Sequence, residues 1–185
     1  MRIGFDFDGV LCLTPFGRLA VHAPGNVPEL PPNYEALYQR PLARNPLRLF
    51  IEYLRFGWRR MSPEAAGVLR NLSARDEVYI ITGRSVDGAP LIRRWLRSRA
   101  LDGCVSGIEM APPGLRPAQH KLARARMLGI EAHIDDDPRT AYYLAEHGVP
   151  RVFLLNHAGG HTDTALPPRL ALVRTIGEFA AALSD

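Results

Sequence analysis

Four short stretches carry side chains that could do chemistry together. Asp6 and Asp8 stand in Phe5-Asp6-Phe7-Asp8-Gly9-Val10-Leu11, and Thr82 and Gly83 precede Arg84. Lys121 stands alone, and Asp135 and Asp136 fall in Ile134-Asp135-Asp136-Asp137-Pro138. On an extended strand alternate side chains share a face, so Asp6 and Asp8 are expected to point the same way, with a bend at Gly9 able to swing Asp8 aside. Carboxylates brought together repel one another unless a cation sits among them. Hard oxygen ligands that leave positions for water and phosphate suit Mg²⁺. A hydroxyl from Thr82 and an ammonium from Lys121 at the rim then suit a phosphoryl group. Each signal has a plainer explanation: Asp-x-Asp is common in turns, and Asp-Asp-Asp-Pro makes a good helix N-terminus with acid at the positive dipole end. Their order, each at a strand end or the start of a helix, favours the chemical reading.

Lys121 is the only lysine among 23 basic side chains. A chain that writes arginine almost everywhere has a use for the lysine it keeps. A compact, strongly hydrated point charge that meets a phosphate oxygen is one such use.

The elements that must position these groups follow from local pattern. Short apolar segments rich in Val, Ile and Phe, bounded by Gly, Asp or Pro, predict five strands: Arg2–Phe7, Val78–Thr82, Cys104–Ile108, Ala132–Asp135 and Arg151–Leu155. Helices are predicted between them at Pro63–Leu72 (with Ser62 as N-cap), Ala89–Arg99, Pro117–Leu128 and Pro138–His147, the last two stopped by Gly129 and Gly148. Alternating strands and helices predict a doubly wound, Rossmann-like α/β fold with a parallel five-stranded sheet, in which ligands bind beyond the carboxyl ends of the strands. The connection 12–61 is too long for a loop and is expected to be an insertion with its own structure, splitting a core of 1–11 and 62–185.

The chain has 185 residues and 20.5 kDa, is 46% hydrophobic and 23% charged, and suits one domain with an insertion. That composition excludes disordered, collagen-like and coiled-coil classes. No stretch reaches the roughly 18–20 uncharged apolar residues of a membrane span. A net charge of +4 does not by itself imply a nucleic-acid polymer, and none is expected as partner. Asp6 and Asp8 interrupt any secretory signal, and two cysteines fit a reducing compartment, so a cytoplasmic location is expected. Cys12 is expected to be a small buried thiol.

The four stretches resemble the four motifs of the haloacid dehalogenase (HAD) superfamily, over about residues 1–11 and 62–156. The resemblance implies Asp6 as nucleophile and Asp8 as general acid and base. It implies Thr82 and Lys121 as phosphoryl ligands, with Gly83 beside them. Mg²⁺ would be bound by Asp6, the Asp8 backbone carbonyl and Asp136, with Asp135 behind them or as an alternative ligand. An acid at position 8 favours the phosphatase branch, since dehalogenases of the superfamily lack it. The implied activity is a Mg²⁺-dependent phosphomonoester hydrolase with an aspartyl-phosphate intermediate, acting on a small phosphorylated metabolite such as a nucleotide or sugar phosphate. The alternatives are a phosphatase for membrane-associated or macromolecular phosphate, and a non-catalytic phosphate-binding module. The superfamily places a small, mainly helical cap between its first two motifs, which assigns 12–61 as cap. The core layout, Ile134-Asp135-Asp136-Asp137-Pro138 and the His157–His161 loop are similar to 5′(3′)-deoxyribonucleotidases. Thr82-Gly83-Arg84 departs from their second motif.

Within the insertion, Arg40, Arg44 and Arg48 are candidates for anionic parts of a substrate. In Pro46–Met61, Leu47, Phe50, Ile51, Leu54 and Trp58 recur at helical spacing as one apolar stripe. The stripe is expected to pack on the core as part of the cap, or on a second subunit. The other use for such a basic amphipathic helix is an anionic membrane surface. His157 and His161 sit in a glycine loop with no third metal ligand nearby and suit a structural or rim loop better than a metal site.

The lone-lysine argument yields a test. Lys121→Arg keeps the charge but replaces a point donor by a planar fork. We expect phosphatase turnover to fall on the order of 10²-fold or more, measured as phosphate release by the purified variant. Retention of most activity would reduce the lone lysine to a matter of composition.

Overall fold

The computed structural model describes residues 1–13, 27–39, 46–56, 59–156 and 166–184. In chain order the elements are β1 (Arg2–Phe5), α1 (Glu35–Tyr38), α2 (Pro46–Phe56), α3 (Ala65–Ser73), β2 (Glu77–Ser85), α4 (Ala89–Arg97) and β3 (Gly107–Ala111). There follow α5 (Pro117–Leu128), β4 (Ala132–Asp135), α6 (Pro138–Glu146), β5 (Arg151–Leu155), β6 (Leu170–Val173) and α7 (Ile176–Ala182). All strand pairs are parallel and the sheet order is β3-β2-β1-β4-β5-β6, a doubly wound arrangement.

The strands are apolar on both faces because helices cover both. Ile3, Phe5, Val78, Ile80, Ala132 and Ile134 are fully buried. One face packs on α3, α4 and α7, where Phe179 meets Phe5 and Phe153 edge to face at 5.3 and 4.9 Å. The other face packs on α5 and α6 through Ile81, Leu122, Leu144 and Val152.

The sheet has six strands, not the expected five. β6 was hidden because it is four residues long, at the sheet edge, and buried only at its two ends. α7 has only seven residues, and Thr175 caps it by accepting a 3.0 Å hydrogen bond from the Glu178 amide. The third strand starts at Gly107, later than predicted, because Asp102–Cys104 form a 3-10 turn. Ser62 is not the cap of α3. Its hydroxyl donates to the Val10 carbonyl and its amide to the Leu11 carbonyl at 2.9 Å, so it ties the end of the insertion to the loop after β1. α3 then begins at Ala65, after Glu64 in a left-handed conformation.

The described parts of the insertion take different routes. Residues 27–39 lie against α5 and α6. The Gln119 amide donates to the Pro28 and Glu29 carbonyls at 3.2 and 2.8 Å, and the Tyr143 hydroxyl donates to the Pro28 carbonyl at 3.2 Å. Tyr38 pairs with His120 at 2.8 Å. α2 lies instead beside α4, anchored by Phe56, which is buried and stacked on Phe7 at 5.5 Å. The expected packing of the apolar stripe on the core is not found: Leu47, Phe50, Ile51 and Leu54 are 43–65% exposed. The reason is that Phe56, off the stripe, is the side chain that meets the core. Trp58 lies outside the described residues. Among the described residues, no helix is long and apolar enough to cross a membrane.

Candidate active site

β1 and β4 are neighbours at the centre of the sheet, and the chain order reverses between them. Open parallel sheets bind ligands at such a switch point. Asp6 follows β1 and extends its pairing, donating its amide to the Ile134 carbonyl at 3.0 Å. Asp135 closes β4, and Thr82 lies on β2 next to β1. Gly83 lets α5 come close: a Cβ there would stand 2.7 Å from Pro117 Cβ. That approach brings Lys121, one turn into α5, over the strand ends.

Lys121 Nζ lies 2.9 Å from Asp6 Oδ1 and 2.7 Å from Asp135 Oδ2. Lys121, Asp6, Asp135 and Thr82 are all buried. Asp135 is the most completely engaged. Its Oδ2 also meets His133 Nε2 at 3.2 Å, and its Oδ1 accepts the Asp137 amide at 3.0 Å. Burial alone would raise the Asp135 carboxyl, but Lys121 and His133 outweigh it and hold the group below the usual carboxylate range. Burial pulls the Lys121 ammonium down, yet Asp135 and Asp6 together raise it, so it stays charged. Burial keeps His133 neutral against the pull of Asp135. His133 therefore donates from Nε2 while its other ring nitrogen faces Gly4, where a Cβ would come within 2.5 Å.

Asp6 is different. Burial raises its carboxyl well above the usual range; Lys121 opposes this, and Asp135, Asp136 and Asp8 add to the rise. One ammonium thus faces several acids. Asp6, Asp135 and Asp136 each offer a carboxylate oxygen within 4.8 Å of the others. Asp136 leans over Gly9, whose φ is +84°, and a Cβ at Gly9 would stand 2.0 Å from Asp136 Oδ2. An all-oxygen set of this size, with acid in excess over Lys121, fits a hard divalent cation such as Mg²⁺. Both Asp135 oxygens are already engaged by the protein, which favours Asp136 over Asp135 as the direct ligand.

Asp8 is not part of the acid cluster. β1 ends at Phe5, so strand alternation does not carry through to Asp8, and residues 7–12 form a tight turn. Its closing bonds are Gly9 amide to Cys12 carbonyl at 2.7 Å and Cys12 amide to Phe7 carbonyl at 2.9 Å. The Asp8 carboxylate accepts Arg84 Nε at 2.5 Å and Nη2 at 2.8 Å, and Arg59 Nη1 meets the same Oδ1. Arg84 rests on the Phe56 and Phe7 rings at 4.9 and 6.0 Å. Neither arginine was singled out from sequence. Arg84 directly follows Thr82-Gly83, which was a usable signal; Arg59 is one of several arginines in its segment, and nothing local marks it.

Cys12 is buried, and its thiol is pushed up to about 11 by burial, in keeping with an inert thiol. Burial lowers His120 to about 3; it is a neutral core residue. Arg40, Arg44, His157 and His161, and the Arg48 side chain, lie outside the described residues.

No family model and no curated protein matches this chain. Solved structures do. A haloacid dehalogenase-like family hydrolase from Streptococcus pneumoniae superposes with a TM-score of 0.62 at 16% identity, covering 98% of this chain and 97% of that one. A proposed beta-phosphoglucomutase from Thermotoga maritima gives 0.63 at 14% identity, covering 99% and 98%. An L-2-haloacid dehalogenase from Xanthobacter autotrophicus, with chloropropionic acid covalently bound, gives 0.54 at 12% identity, covering 77% and 69%. The fold is that of the HAD-superfamily hydrolases.

The acid cluster predicts binding that can be read without turnover. Adding Mg²⁺ should raise the melting temperature in proportion to the logarithm of its concentration above Kd, reaching about 2.7 kcal/mol of stabilisation at a hundredfold excess. Asp136→Asn should remove most of that rise. A melting curve that ignores Mg²⁺ in the wild-type protein would refute the assignment.

Proposed function

We propose that this chain is a HAD-type hydrolase that cleaves phosphomonoesters through an aspartyl-phosphate on Asp6, with Mg²⁺ as cofactor. The observation that carries the reading is the division of labour between two carboxylates. Asp6 is buried against Lys121 and the acid cluster, whereas Asp8 stands apart, its side chain 22% exposed. Lys121 fixes one Asp6 oxygen; the other attacks phosphorus in line, and the bond from phosphorus to the ester oxygen breaks. Lys121 and the Thr82 hydroxyl hold the phosphoryl oxygens, next to the Gly83 approach. Asp8, which accepts N–H donors on both oxygens in the structure, must first turn from its arginines and take a proton from solvent; it then gives that proton to the leaving oxygen and takes one from the water that cleaves the acyl phosphate and restores Asp6. Mg²⁺, held by Asp6, Asp136 and the Asp8 carbonyl, would offset the charge on the phosphoryl group.

A dehalogenase occurs among the structural neighbours, but Asp8 speaks for phosphoryl chemistry here, since displacement of halide needs no acid at that position. The complete set of Asp6, Asp8, Thr82, Lys121 and Asp136 speaks against a merely binding module. Nucleotides and sugar phosphates are the first substrates to try, in solution and without a nucleic-acid polymer.

A second reading concerns where the phosphate is carried, and one observation favours it. Leu47, Phe50, Ile51 and Leu54 are exposed on α2, which packs beside α4, and α4 exposes Arg93, Arg94 and Arg97. An apolar stripe next to cations suits the surface of an anionic bilayer and hence a membrane-borne phosphate.

Two measurements test these readings. Asp6→Asn should lower phosphate release on the order of 10⁴-fold or more across a phosphomonoester panel with Mg²⁺, while circular dichroism stays native; near-normal turnover in the variant would end the nucleophile assignment. For the second reading, wild type should co-sediment with phosphatidylserine vesicles and Phe50→Asp/Leu54→Asp should not. If wild type stays in the supernatant, the metabolite in solution is the substrate.

A further inference from the structure

We infer that Arg59 and Arg84 form a second anion subsite on the leaving-group side, so that the preferred phosphomonoester carries a further anionic group close to its ester oxygen. The inference deepens the phosphatase reading and rests on it.

Two guanidinium groups from distant parts of the chain converge on one carboxylate. Arg84 leaves the end of β2 and grips Asp8 with two nitrogens; Arg59 leaves the insertion and reaches the same oxygen. Paired planar forks of this kind match carboxylate and phosphate. Both side chains are largely shielded, at 11 and 12% exposure, which strengthens their grip on an anion. Both are also held in place. Arg84 lies on Phe56 and Phe7, and the Arg59 carbonyl accepts Trp95 Nε1 at 3.2 Å and Arg99 Nη2 at 3.3 Å. Such preorganisation belongs to a binding site.

The position of the pair says which part of the substrate it meets. The phosphoryl group is claimed by Asp6, Lys121 and Thr82. Asp8 serves the leaving oxygen, so groups gathered on its carboxylate lie beyond that oxygen. In the structure, three N–H donors hold Asp8. To serve the ester oxygen, Asp8 must turn an oxygen away from them, and the donors need another acceptor. An anionic group of the substrate is an acceptor of matching shape. Its arrival hands the guanidiniums over and releases Asp8, which can then take a proton from solvent and turn it to the ester oxygen.

The test compares ethyl phosphate, 2-phosphoglycolate and ethane-1,2-diol bisphosphate, with Mg²⁺. We expect wild-type kcat/KM to be tenfold or more higher for one or both of the doubly anionic esters, and which one tells carboxylate from phosphate. Arg59→Gln, and Arg84→Lys, which keeps the charge but loses the fork, should each shrink that ratio at least fivefold, chiefly through KM. A wild type that prefers ethyl phosphate overturns the inference. So does an equal loss on all three esters, which would mean that the arginines only hold Asp8. Failure of the phosphatase reading is told apart by binding: in Asp6→Asn, calorimetry should show phosphonoacetate at least tenfold tighter than methylphosphonate even where no ester is turned over. Equal binding of the two overturns the subsite.

Discussion

A single buried ammonium, held between Asp6 and Asp135, is the constraint around which this molecule is arranged. Taking these charges out of water is costly, and the cost is met only where every atom has a partner at close range. Three elements distant in sequence must therefore meet within a few tenths of an ångström: the end of β1, the end of β4 and the first turn of α5. Side chains that do no chemistry serve this end. Gly83 admits α5 to the sheet, Gly4 makes room for His133, and His133 completes the shell of Asp135. A larger residue at either glycine would push on a charged cluster rather than on soft hydrocarbon.

The same constraint leaves the site unfinished in a useful way. Burial first, and then the negative charge of Asp135 and Asp136 that Lys121 only partly balances, raise the proton affinity of Asp6. A divalent cation would offset that charge and leave Asp6 a carboxylate. Asp135, already engaged at both oxygens, behaves as a fixed strut, while Asp136 reaches across Gly9 towards the loop after β1. Two adjacent acids thus take unlike tasks because one points into the core and the other over the tight turn.

Legibility in the sequence followed the strength of the local pattern. β1, β4 and β5 are short, buried but for the first residue of β1 and β5, and bounded by breakers, so period and punctuation sufficed to find them. β6 and α7 are short elements of mixed burial and carried too little pattern, although Thr175 and Glu178 were a usable capping signal. The acids were legible because they sit at strand ends, where sheet topology gathers them from far apart, and Lys121 because it is the only lysine in the chain. Arg59 and Arg84 were not, because what brings them together is the tertiary return of the insertion to Asp8, and arginine is too common in this chain to stand out. Ser62 misled for a related reason: a good capping residue was spent on a long-range tie to Val10 and Leu11. The stripe on α2 misled differently. Periodicity shows that a helix has an apolar face but not what that face meets, and Phe56 outside the stripe proved to be the anchor.

These particulars separate two layers of the site. Asp6, Lys121 and Asp135 are held by the sheet centre and α5, where burial and charge pairing leave little freedom. The proposed leaving-group side is furnished by a turn, the end of β2 and the insertion: Asp8 on residues 7–12, Arg84 in β2 beyond its pairing with β1, and Arg59 on the segment that returns through Ser62. Under the proposed function, changes in α2 and in its return through Arg59 would therefore alter which leaving group is accepted before they disturb Lys121, whereas residues 27–39 of the insertion pack on Gln119 and His120 beside it. Phe56 couples the layers, because it stacks on Phe7, between the two aspartates in sequence, and also supports Arg84. A shift of α2 would consequently be felt at Arg84 and Asp8 before it reached Asp6, which under the proposed function places control of the acid on α2 and control of the nucleophile on the core.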